Sequence, residues 1–158
     1  MQIEEKLVKI LIDKKLNISA CVSCTGGLFI ATLVNVPGIS EVLESSIITY
    51  SNNSKIIYAG LNEKIIQKYG VVSEQVVYEM AAGIRKKTGT NIGVSVSGVA
   101  GPSGGTPEIP VGRVCFGIDI NGAVRTYTKD FLNMSRSGVR KTSVKFLINE
   151  LIKLLGEK

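Results

Sequence analysis

Only one pair of neighbouring strand-like runs in this sequence is joined by a turn tight enough for a hairpin, and that limits the folds open to the chain. The runs are RVCFGIDI (113–120) and AVRTYTKDF (123–131), on either side of Asn121-Gly122. Asn-Gly is the strongest short-range hairpin signal, because both residues accept the positive φ of a two-residue turn. Between the other strand-like runs lie helical segments or a long glycine-rich loop. Ile3, Leu7, Ile10 and Leu11 trace one stripe of an amphipathic helix over 3–16. NISACVS (17–23) reads as a buried strand, and TGGLFIATLVNV (25–36) restores a helical length that ends at Pro37-Gly38. SSIITYS (45–51) is a second strand, followed by polar NNSK and a helical NEKIIQKYG that stops at Gly70. Ser73 is placed to cap the helix EQVVYEMAAGIRKK, NIGVSVS (91–97) is the third strand, and a last helix runs from about Ser135 to Leu155.

This alternation predicts an α/β fold: a three-layer α/β/α sandwich around a mixed, mostly parallel sheet, with a C-terminal β-hairpin and a closing helix. Residues 1–158 read as one domain with no linker and no internal repeat. In open sheets of this kind ligands sit beyond the carboxyl ends of the parallel strands. Two unusual segments emerge there, ACVSCTGG (20–27) and the glycine-rich loop GVAGPSGGTPEIPVG (98–112), and they are expected to meet.

Composition narrows the chemistry. The chain has no histidine, which removes a Ser-His-Asp triad, a Cys-His pair and any histidine-ligated zinc within one chain. A net charge of +6 favours an anionic ligand. Sparse aromatics and scattered basic residues argue against nucleic acid as a partner. The N-terminus mixes charges through its apolar positions, unlike a signal peptide, and the run GGLFIATLVNVPGI is too short to span a bilayer. The expectation is a cytoplasmic protein with reduced thiols and no membrane partner.

ACVSCTGG offers two chemistries. Cys21 and Cys24 have the spacing of a dithiol at a helix N-terminus, where the macrodipole lowers a thiol's pKa, but two such cysteines also serve as small buried hydrophobes. Cys115 is the only other soft ligand, so no metal site is expected. Ser23 either caps the following helix or acts as a nucleophile, with the N–H groups of Thr25, Gly26 and Gly27 forming an anion site. Its base would have to be a lysine or a carboxylate. Lys55 lies on the same predicted edge, although the residues alone describe it as a solvated surface lysine before they describe it as a base. The glycine-rich loop has neither a Walker A ending nor a G-x-G-x-x-G spacing, yet an irregular segment this long in a compact domain is usually functional. Arg136 and Arg140 share one helical face, either as a phosphate grip or as a solvated pair.

Taken in order, SCTGG (23–27), TYSN-x-x-K (49–55), VSE (72–74), SGVAGPSGGTPE-x-PVG (97–112) and R-x-x-x-R (136–140) resemble the CinA C-terminal family over essentially the whole chain. The resemblance implies a nicotinamide mononucleotide amidohydrolase of pyridine nucleotide salvage, in its stand-alone form and without metal or cofactor. It also implies a homo-oligomer, a dimer first among the options. Matched by motif, Ser23 is the nucleophile and Lys55 the general base, with Tyr50 beside them. Thr25, Gly26, Gly27, Gly104, Gly105 and Thr106 would line the substrate pocket, and Arg136 and Arg140 would hold the 5′-phosphate. Two departures stand out: Val22 where the family usually has a glutamate, and Met134-Ser135-Arg136 where it has Gly-Asp-Arg. Val22 implies weaker activity, a different substrate, or an acid such as Glu108 acting instead. A pyridine-nucleotide-binding protein without turnover and, less favoured, a dithiol oxidoreductase are the alternatives.

Overall fold

The five expected strands form one sheet in the computed structural model, which describes residues 1–156. They are β1 (Ile18–Val22), β2 (Leu43–Ile48), β3 (Ile92–Gly98), β4 (Arg113–Ile120) and β5 (Ala123–Asp130), in the order β2-β1-β3-β4-β5. β1 pairs in parallel with both β2 and β3, and the pairs β3·β4 and β4·β5 are antiparallel. Four strands therefore point one way and β4 alone opposes them. Asn121 and Gly122 close the β4–β5 hairpin with φ of 52° and 96°, as the dipeptide requires.

Helices cover both faces. They are α1 (Ile3–Lys14), α2 (Leu28–Leu33), α3 (Asn52–Ala59), α4 (Glu63–Tyr69), α5 (Glu74–Thr88) and α6 (Arg136–Gly156). Strand alternation sorts the side chains between the layers. Ala20, Val22, Val94, Val96, Phe116 and Ile118 point to one face and join Leu7, Leu11, Leu147 and Leu151 of α1 and α6 in the larger core. The other face is built from small residues, among them Cys21, Gly93, Ser95, Cys115 and Gly117. α5 lies directly on it: a Cβ on Gly93 would fall on the Ala81 carbonyl oxygen, and one on Gly117 would fall on that of Val77. Ser95 Oγ donates to that Val77 carbonyl at 2.6 Å, tying helix to strand.

Two elements differ from expectation. α2 has only six residues, with a short 3-10 turn at Ile39–Glu41 after Pro37-Gly38, in place of a helix over 25–36. The polar NNSK segment, which carries no expected element, opens α3, where Ser51 Oγ accepts from Ser54 N at 3.0 Å and Ser54 Oγ accepts from Ser51 N at 3.2 Å. The inward-facing residue of its first turn is Lys55, so the apolar pattern that reveals a helix is broken at that position.

Candidate active site

Ser23 is the first residue after β1. Its N–H donates to the Val96 carbonyl of β3 at 3.0 Å and its own carbonyl accepts from Gly26 N at 2.9 Å. The turn passes through Gly26 and Gly27 at φ of 61° and 94°, a region that side-chain-bearing residues avoid. Gly27, not Ser23, is the N-cap of α2, so the serine hydroxyl is free of a capping duty. It faces Lys55. Lys55 Nζ donates to the Thr49 carbonyl at 2.6 Å and to Ser23 Oγ at 3.3 Å. The reading of Lys55 as a solvated surface lysine is overturned, since it is 1% exposed, because α3 turns it inward beneath the end of β2.

Burial also sets the electrostatics. Removing Lys55 from water lowers its pKa below the usual lysine value, and the nearby Cys21 and Cys24 thiols oppose that shift more weakly. Among the described residues no carboxylate forms an ion pair with it. Burial pushes the Cys24 thiol up to about 11 and raises that of Cys21 as well, so both are neutral near pH 7. Cys21 packs in the cluster under α5, with Sγ 3.3 Å from Thr49 Oγ1, whereas Cys24 belongs to the core cluster on the opposite face. A dithiol centre needs an accessible, thiolate-prone pair, and these cysteines are packing residues instead.

A cavity of about 250 Å³ opens beside Ser23, with Tyr50, Gly101, Gly104 and Arg136 on its wall. The two segments expected to meet do meet here. Arg136 donates from Nη1 to the Gly101 carbonyl at 2.8 Å and from Nη2 to Tyr50 Oη at 2.9 Å, joining α6, the glycine-rich loop and the end of β2. Arg140 donates to the Thr25 carbonyl at 2.9 Å, so the arginines are engaged at the site and are not a free solvated pair.

Several expected ligand-binding positions fall elsewhere. The Gly26 N–H is committed to the Ser23 carbonyl and is unavailable to an anion. Thr25 is fully buried with its hydroxyl unpartnered, and Arg140 is outside the cavity lining. Gly105 and Thr106 also lie outside it, because Thr106 holds the loop tip closed: its N–H donates to the Ile109 carbonyl at 2.8 Å and its hydroxyl accepts from Ile109 N at 3.0 Å. Glu108 is exposed on the same tip and is no substitute acid at Ser23. Val22 is buried in the α1/α6 core, on the face away from α3 and Lys55.

The residues that sequence reasoning missed are Thr49, Val71, Val72 and Val99. Thr49 acts through its carbonyl, which no side-chain pattern reveals, and the valines serve as apolar cavity wall. Among the described residues no group of three or more His, Cys, Asp or Glu side chains gathers to hold a metal. No helix among them is long and apolar enough to cross a membrane.

Residues 1–155 match the family model described as the CinA C-terminal domain. A protein of Alkaliphilus oremlandii named as competence-damage inducible is 50% identical over 96% of this chain. A CinA-like protein of Dictyoglomus turgidum is 47% identical over 87% of it. The chain spans about a third of the length of the curated relatives it matches, 36% and 33% for these two. Among solved structures, a competence-damaged protein (CinA) superfamily protein from Klebsiella pneumoniae superposes with TM-score 0.94 at 27% identity, covering 98% of this chain and 96% of that one. A competence or damage-inducible protein from Enterobacter asburiae gives 0.93 at 32% identity, covering 97% and 96%.

Proposed function

The chain belongs to the CinA C-terminal domain family, and we propose that it hydrolyses the carboxamide of nicotinamide mononucleotide to nicotinate mononucleotide and ammonia. The observation that carries this reading is a buried lysine amine 3.3 Å from an otherwise free serine hydroxyl at the wall of a cavity. Neutral Lys55 takes the Ser23 proton as Oγ attacks the carboxamide carbon, and returns it to the departing ammonia. Water, with Lys55 again as base, then cleaves the nicotinoyl ester and restores Ser23. Tyr50, 60% exposed beside the cavity, offers its ring to the cationic pyridinium, a contact worth about 0.5–2 kcal/mol. Arg136 on the wall takes the 5′-phosphate and Arg140 adds positive charge from the next turn of α6.

The test is direct: incubation with nicotinamide mononucleotide followed for ammonia, together with intact-mass detection of a nicotinoyl ester on Ser23 after acid quench. Absence of both ammonia and ester would overturn the proposal. Tight binding of the mononucleotide without either product would select the second reading, a binding protein. That reading is favoured by one observation: Val22 is apolar and no carboxylate lines the cavity.

The pH profile carries a second expectation. Only the neutral amine can accept the serine proton, so kcat/KM should rise with pH to a plateau whose midpoint lies below the ordinary lysine value of 10.5. A midpoint at or above that value would contradict the role. Between the lowered pKa and 10.5 the unfolded chain binds more protons than the folded one, so this group's contribution to stability increases with pH across that window. Arg136→Met should raise KM by about 10- to 100-fold, the worth of one charge-assisted contact, with kcat little changed. A fall in kcat alone would remove Arg136 from phosphate binding.

A further inference from the structure

Val72 lines two cavities at once. One is the cavity of about 250 Å³ that holds Ser23. The other, about 670 Å³, lies between α4, α5 and the β4–β5 hairpin, with Tyr69, Glu74, Tyr78, Arg113 and Thr128 on its walls. Val72 itself is 9% exposed, wedged in the short connection between α4 and α5.

That connection is held from both sides. Ser97 Oγ of β3 donates to the Val71 carbonyl at 2.9 Å, and Ser73 Oγ donates to the Gly70 carbonyl at 2.8 Å while accepting from Val76 N at 3.3 Å. A β-branched side chain on a pinned backbone has few rotamers to swing through. Val99, also on the wall of the Ser23 cavity, is fixed just as firmly, its N–H donating to the Arg113 carbonyl at 2.9 Å and its carbonyl accepting from Gly112 N at 2.8 Å. Val71, Val72, Val99 and Ala100 give the Ser23 cavity an apolar side, and its volume is the smaller of the two. The space behind Val72 is larger and carries polar groups, including a Glu74 carboxylate held by the Thr126 and Thr128 hydroxyls at 2.6 and 2.9 Å.

We propose that Val72 is the specificity-determining partition of the Ser23 cavity: it confines the site to amides borne on a single ring and closes it off from the neighbouring cavity. The inference rests on the reading of Ser23 as nucleophile. Shortening Val72 joins the two spaces and admits a fused second ring. Lengthening it tightens the limit.

Serine-directed phosphonofluoridates test this, one carrying a phenyl and one a naphthyl group. In each, a Ser23 Oγ–P bond forms, the P–F bond breaks, fluoride leaves and the serine proton passes to Lys55. Labelling rates at Ser23 are read by intact mass and peptide mapping. In the unaltered protein the phenyl probe should react faster. Val72→Ala should raise the naphthyl-to-phenyl rate ratio about tenfold, as expected for methyl groups removed from an apolar pocket wall, and Val72→Ile should lower it. An unchanged ratio in Val72→Ala, with Ser23 still labelled, overturns the partition and leaves the nucleophile intact. Absence of labelling by both probes in the unaltered protein overturns the Ser23 reading and the partition with it. Where Val72→Ala fails to give a cooperative thermal transition, Val72→Ile decides: a lowered ratio supports the partition and an equal one overturns it.

Discussion

Ser23→Ala is expected to reduce ammonia release from nicotinamide mononucleotide to background, a loss on the order of a million-fold if the serine behaves as nucleophiles of other serine hydrolases do. No neighbour can replace it. The Cys21 and Cys24 thiols are buried and held neutral, and Cys21 faces the α5 side of the sheet, where its Sγ lies 3.3 Å from Thr49 Oγ1. Lys55→Met keeps the length and burial of the side chain but removes the proton acceptor, so kcat/KM should fall by about 100- to 10,000-fold. The double variant should be no worse than Ser23→Ala, because the two residues serve one proton transfer and their effects cannot add. Steady-state ammonia assays on the four proteins, each checked for an unchanged thermal transition, decide the matter. Full ammonia release from Ser23→Ala would overturn the role of Ser23 as nucleophile.

The second large effect is on stability and comes from a residue far from the chemistry. Gly117→Ala places a methyl group against the Val77 carbonyl and 2.5 Å from Ser95 Oγ. Neither neighbour can yield cheaply, since one is helix backbone and the other is the hydroxyl that ties strand to helix at 2.6 Å. α5 must therefore move away from the sheet. We expect a loss of about 3 kcal/mol, the upper part of the range for overpacking a core, and a Tm lower by about 6–12 °C for a chain of this size. Gly93→Ala, which meets the Ala81 carbonyl and Arg85 Cβ, should behave alike. Thermal and urea unfolding measure both. A change of less than about 1 kcal/mol would mean that the small-residue face does not set the spacing of α5.

What could be read before any coordinates follows the physics of each residue. Asn121-Gly122 marked the hairpin because its turn has a backbone requirement that few residues meet. The buried strands were legible from their apolar, β-branched content, and Ser73 as a cap because a hydroxyl in that place has one common use. α3 was illegible because its inward position is a lysine, the residue type least often buried. The motif positions Ser23, Tyr50, Gly104 and Arg136 do converge on one cavity, whereas Gly105 and Thr106 share their motif without sharing the cavity, since the chain uses them to fold the loop tip. Thr49 and Val72 stood at the head of two quoted motifs without revealing their parts, as a carbonyl and a wall are supplied by position and not by residue type.

The bond between Arg140 and the Thr25 carbonyl joins residues 115 positions apart, and Arg136 and Arg140 both belong to the first turns of the closing helix. By contrast, the serine and its lysine are separated by 32 positions and meet through β1, β2 and α3. Ser23 and Lys55 are thus synthesised well before Arg136 and Arg140. If the proposed roles hold, turnover of an anionic amide requires that the C-terminal helix has docked, and can serve as an assay of complete folding without any spectroscopic label.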